Sequence, residues 1–120
     1  MRVTVLLLAV LLLIPAAVPA QPYVMQGTER YFRVDASPGQ GSRGPVMSGY
    51  VYNTYGHTAD KVWLTVEALD NSGSVVGISR SPLLGTIPNG GRTYFEMPAP
   101  SGGTTYRTRV TLFEWVGRGA

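Results

Sequence analysis

The sequence holds no cysteine and one histidine, His57, and only 14% of its residues are charged. The missing cysteines exclude a disulfide framework, thiolate zinc sites and thiol nucleophiles, so a core must supply the stability. They also leave no cysteine to carry a lipid at a processed N-terminus. One histidine with scattered carboxylates falls short of a zinc site, which takes three or four ligands at defined spacing. No window of ten or more residues carries a helical apolar stripe, and there is no internal repeat.

Long apolar runs are also missing, with one exception. Residues Val3 to Ile14 are apolar apart from Thr4, follow Arg2, and end at Pro15. This run is short of the roughly 20 apolar residues that span a bilayer. Small residues at Val18 and Ala20 complete the pattern of a secretory leader cleaved after Ala20. An uncleaved N-terminal anchor is the competing reading, which Pro15 and the small residues disfavour. Cleavage leaves residues 21–120, enough for one domain. Their division is read as a flexible N-terminus over 21–27, an all-β domain over 28–116 and a tail over 117–120. An extracytoplasmic location, periplasmic or secreted, follows from the leader, with no membrane association after cleavage.

Without Arg2 the chain keeps nine basic and seven acidic residues. The arginines at 30, 33, 43, 80, 92, 107, 109 and 118 and the lone Lys61 are dispersed, whereas nucleic-acid binders cluster such charges against phosphates. No nucleic-acid partner is expected.

What is present is the grammar of strands and turns: glycine and proline at short intervals, with β-branched and aromatic residues between them. Residues 28–35 alternate, with Phe32 and Val34 opposite Glu29, Tyr31 and Arg33. Residues 36–45, rich in glycine, serine and proline, read as a flexible connection. Met47, Gly49 and Val51 oppose Ser48, Tyr50 and Tyr52. Residues 61–70 alternate most cleanly, Val62, Leu64 and Val66 inward against Trp63, Thr65 and Glu67. Asp70 to Gly73 is a tight turn into a strand over 74–80. A short strand over 83–87 and a second turn over Pro88 to Gly91 follow. Thr93, Phe95 and Met97 then oppose Arg92, Tyr94 and Glu96. In the last strand, 105–116, Tyr106, Thr108, Val110 and Leu112 oppose Arg107, Arg109, Thr111, Phe113 and Trp115. About seven strands in this length predict an immunoglobulin-like antiparallel β-sandwich without the cysteine pair of antibody domains.

The order of these features, "SGYVYN" ending at Asn53, "VWLTVEALDNSGSVVG", "IPNGG", "TYFEM" and "YRTRV", resembles the FxLYD-like β-sandwich domains of bacterial extracytoplasmic proteins over residues 46–116. The eponymous stretch falls on Val66 to Asp70, where only Asp70 keeps its letter. The resemblance implies a fold and a compartment; it brings no catalytic residues.

His57 lies between two predicted strands, with Asp60 as the residue able to orient it, but no nucleophile elbow accompanies the pair. It reads as a turn residue. Glu67, Glu96 and Glu114 read as partners of neighbouring arginines, not as an acid and base pair. No catalytic residue, cofactor or metal is therefore assigned. If the strands of Trp63, Tyr94 and residues 107–115 are neighbours, one outer face gathers Trp63, Tyr94, Arg107, Arg109, Phe113 and Trp115. Aromatic rings beside guanidinium groups are enriched at protein interfaces. These six form the candidate partner-binding face of a non-catalytic envelope module whose partner is a protein. The alternative is a carbohydrate-binding module stacking the same rings on a glycan. A β-bulge near Ala68–Leu69 or Leu112–Phe113 would turn some of these rings inward.

Overall fold

In a computed structural model, residues 24–117 form an all-β domain. The leader read over residues 1–20 and the end of the tail lie outside the described residues. A one-turn 3-10 helix, Thr28–Arg30, precedes six strands: β1 (Phe32–Gly41), β2 (Gly44–Asn53), β3 (Ala59–Leu69), β4 (Val75–Pro82), β5 (Arg92–Pro98) and β6 (Thr105–Trp115). They make two antiparallel three-stranded sheets, ordered β1-β2-β5 and β4-β3-β6.

The two sheets share one core. Phe32, Met47, Val51, Phe95 and Met97 enter it from the first sheet, and Val62, Leu64, Val66, Val110 and Phe113 from the second. The alternation read in β2, β3 and β5 has this cause: every second side chain enters the core between the sheets. Complete burial of a valine or leucine contributes about 1.5–3 kcal/mol, which is what replaces the missing disulfides.

Three readings of the sequence are corrected. Residues 36–41 belong to β1, which turns through Ser42 and Arg43 straight into β2, with Gly41 opposite Gly44. Their glycine and proline content disguised a strand because Pro38 sits where a proline is harmless. Thr54 N donates to the Tyr31 carbonyl at 2.8 Å. The alternation of antiparallel bonds then points the backbone of Val34, Ala36 and Pro38 away from β2, to the free edge. Second, residues 28–30 form a helical turn, and the strand starts only at Phe32. Third, residues 83–87 do not form a seventh strand. Gly85 at φ 82° breaks the extension, and Leu84 stays in solvent while Leu83 and Ile87 are buried. Ile87 makes one isolated bridge, exchanging backbone hydrogen bonds with Ala59.

Two irregularities in the β3–β6 pairing decide which way the aromatic side chains point. Asp60 faces Glu114 and Trp63 faces Leu112, so β3 holds an extra residue there, beside Lys61 at φ 51°. Ala59 and Val62 both end inside. Next, Trp63 faces Leu112 but Leu64 faces Val110, which makes Thr111 the extra residue of a bulge in β6. Before it, Val110 points inward; after it, Phe113 does. Leu112, predicted to face inward, instead sits opposite Trp63.

Candidate interaction face

The six residues expected on one face are divided among three places. Tyr94 is on β5, in the other sheet from Trp63. The bulge turns Phe113 into the core, at 7% exposure, and Trp115 packs against that core. Phe113 lies edge-on to Phe32 at 4.9 Å, and Trp115 stacks on Phe32 at 5.8 Å and on Tyr55 at 4.9 Å. Trp63, Arg107 and Arg109 do belong to neighbouring strands, β3 and β6.

On that second sheet, Thr65 and Glu67 were predicted to be wet, and both are buried. β3 is the central strand, so the register sets Glu67 between Ile78 and Arg107, and Thr65 between Arg80 and Arg109. Arg107 covers Glu67, its Nε and Nη2 lying 2.7 and 2.6 Å from Glu67 Oε1. The hydroxyls of Thr65 and Thr111 bond each other at 2.9 Å. This is the opposite-charge pairing read from the sequence, in a drier setting. Glu96 is on the other sheet, where it accepts from the Tyr94 hydroxyl at 3.3 Å, and Glu114 faces Lys61 Nζ at 3.6 Å.

His57 is exposed at the rim of an aromatic cluster, with ring centroids 5.7 Å from Tyr55 and 6.1 Å from Trp115. Asp60 Oδ1 accepts from the backbone N–H of Lys61. Among the described residues, no group of three or more His, Cys, Asp or Glu side chains is placed to hold a metal ion.

The outer face of the first sheet brings together residues that the sequence listed apart. The register lines up Arg33, Tyr52 and Arg92 in one row across β1, β2 and β5, and Asp35, Tyr50 and Tyr94 in the next. The Arg33 guanidinium lies 3.9 Å from the Tyr52 ring centroid, and that of Arg92 lies 4.1 Å from the Tyr50 ring. Arg92 Nη1 also donates to the Tyr52 hydroxyl at 3.3 Å, and this bond raises the guanidinium pKa above its ordinary value. Tyr50 and Tyr94 meet edge to face at 5.5 Å. Each contact of a cation with an exposed ring contributes about 0.5–1 kcal/mol, so the rows are held in place without being buried. Tyr94 remains 53% exposed.

Alternation had already put Tyr50 and Tyr52 on one side of β2, and Arg92 and Tyr94 on one side of β5. The missing information was that β2 and β5 are neighbours, although Tyr50 and Tyr94 are more than forty positions apart. Fold and face together define an all-β, two-sheet domain with an open tyrosine–arginine surface. Comparison with family models, with curated proteins and with solved structures gives no match for this chain.

Proposed function

We propose that this chain is a non-catalytic extracytoplasmic module with an immunoglobulin-like, FxLYD-like sandwich fold, acting by protein–protein contact in the cell envelope. The leader pattern of residues 1–20 supports the location. The observation that carries the binding role is the double row Arg33–Tyr52–Arg92 and Asp35–Tyr50–Tyr94 on an open sheet face. Tyrosine supplies a large amphipathic contact at small entropic cost, and arginine supplies fixed donors. Here each arginine holds a ring in position before any partner arrives, which lowers the ordering cost of association.

The carbohydrate reading has less support. Stacking on a run of sugar rings calls for coplanar exposed aromatics. The Tyr50 and Tyr94 planes meet at 70°, those of Tyr50 and Tyr52 at 49°, and guanidinium groups occupy two of the faces.

A photoreactive side chain placed at position 94 in intact cells tests the proposal, with position 84 as the control, since Leu84 is 87% exposed on the Pro82–Arg92 connection. Position 94 is expected to capture a discrete protein that position 84 does not, and capture is expected to fall when Arg92→Ala is added. Equal labelling from both positions, or none from position 94, overturns the reading.

A further inference from the structure

The two sheets are open along one side, where β1 and β6 are both edge strands. A groove of about 370 Å³ runs between them over Val34, Ala36, Met47, Tyr106 and Thr108. It continues, through the shared Val34 and Thr108, into a second compartment of about 360 Å³ reaching Phe32 and Arg109. We propose that this groove takes an extended peptide segment, which adds as a strand to the free edge of β6 and sets a carboxylate against Arg109. The groove borders the tyrosine–arginine face at Arg33, but the proposal does not rest on that face.

The first argument concerns backbone groups. Leu83 N donates to the Val62 carbonyl at 2.7 Å, which makes Val62 and Leu83 a hydrogen-bonded pair of the β3–β4 ladder. Alternation directs the backbone of Leu64, Val66 and Ala68 to β4 as well, and that of Thr65 and Glu67 to β6. On β6, Arg107 and Arg109 therefore bond β3, while Tyr106, Thr108 and Val110 turn N–H and C=O to the open side. The Val110 carbonyl confirms the direction by accepting from Thr28 Oγ1 at 2.6 Å. Among the described residues, Tyr106 and Thr108 are left with a free donor and acceptor each.

The chain itself already uses this edge. Met25 N donates to the Thr111 carbonyl at 2.9 Å, so among the described residues the segment entering the domain covers the edge at 110–111 and reaches no further along β6. The other side of the groove is a poorer template, because Pro38 removes one donor from the free edge of β1. The added strand therefore belongs on β6.

Chemistry selects the occupant. Strand addition takes affinity from main-chain bonds and specificity from pockets for alternate side chains. The floor offers Val34, Ala36 and Met47, which suit small or branched apolar residues at every second position. At the far end, Arg109 Nε is buried with no hydrogen-bond partner among the described residues. Glu29 and Arg33 line the same compartment, the Arg33 guanidinium lying against the Tyr52 ring. An acidic side chain or a C-terminal carboxylate satisfies Arg109, whereas a basic one does not.

The test is backbone amide exchange, followed by NMR, with synthetic peptides alternating valine and threonine and carrying a glutamate at one end or the other. Counterparts carry glutamine in place of glutamate, or N-methylated backbone nitrogens. At saturation with a glutamate peptide, exchange at Tyr106 and Thr108 is expected to slow by about tenfold or more, with protein amides on the outer faces unchanged. Replacing glutamate by glutamine, or Arg109→Gln, is expected to weaken binding by about tenfold, the scale of one charge-assisted hydrogen bond. Thr108→Pro removes an outward N–H without touching the β3 ladder, and is expected to abolish binding. The N-methylated peptide asks the same question of the unaltered protein, should that variant not fold. The proposal is overturned if no glutamate peptide slows exchange at these two amides. It is equally overturned if their exchange slows with protein concentration alone, which assigns the edge to a second copy of the chain.

Discussion

Asn53 holds His57 by its backbone. The Asn53 Nδ2 donates to the His57 carbonyl at 2.6 Å and also lies 3.2 Å from the Ile87 carbonyl, while its Oδ1 accepts from Tyr55 N at 3.0 Å. Asn53 is 1% exposed, and the histidine ring it positions is in solvent. The turn is built by the asparagine, with the histidine as its passenger. Asn53→Leu leaves the His57 carbonyl and the Tyr55 N–H without their partner, while the Ile87 carbonyl keeps its bond from Ala59 N; each orphaned group costs about 1–3 kcal/mol when buried. A loss of about 2–4 kcal/mol is expected in urea unfolding, against about 0.5 kcal/mol or less for His57→Ala.

Gly49 of β2 lies directly beside Ala36 of β1. A Cβ at this position would stand 2.7 Å from the Ala36 Cα, closer still to the Asp35 carbonyl oxygen, and both are backbone atoms that no rotamer change can move. Gly49→Ala must push β1 away from β2 and is expected to cost about 1–3 kcal/mol, the range for an overpacked core. Gly56→Ala, with nothing within 4 Å of the added carbon, is the matched control and is expected to be near neutral by thermal unfolding.

The β6 bulge separates aromatic residues that look alike in the sequence. Phe113 is 7% exposed and Trp63 is 38% exposed. Phe113→Ala is expected to cost about 3–5 kcal/mol, as for a large core side chain, and Trp63→Ala about 1 kcal/mol or less. Similar losses for the two variants in chemical denaturation would mean that the bulge does not turn Phe113 inward.

Acid acts on the β3–β4 turn. Asp70 Oδ1 accepts from Ser72 Oγ at 2.7 Å and from the N–H groups of Ser72 and Ser74 at 2.9 Å. These bonds, that of the Ser72 hydroxyl foremost, hold the carboxyl below its ordinary value of 3.8. A folded-state pKa below the unfolded one stabilises the fold above the unfolded value and stops doing so as pH falls through the folded value. The Asp70 carboxyl is therefore expected to titrate below 3.8 in a carbon-detected NMR titration. In Asp70→Asn, this contribution to the acid limb of the stability curve is expected to disappear.

The sequence by itself determined the all-β class, the two glycine-rich turns after β3 and before β5, and the inward rows of β2, β3 and β5. All of these are local: alternation and turn chemistry act between residues a few positions apart. The same local signals misled where the context was not local. Residues 36–41 look like a loop, yet pairing with β2 and a free outer edge make them a strand that tolerates Pro38. Residues 83–87 look like a strand, yet Gly85 and the exposure of Leu84 make them a connection.

Only the tertiary structure decided which aromatic residues share a surface. One inserted residue in β6 reverses the direction of every side chain beyond it, because strand periodicity is two. Phe113 and Trp115 thereby became packing instead of surface. Strand order moved Tyr94 away from Trp63 and beside Tyr50, joining rows that alternation alone could not connect. The edge left open on β6 has the same origin: a strand's pattern says which side chains face inward, but not whether a neighbour occupies its backbone.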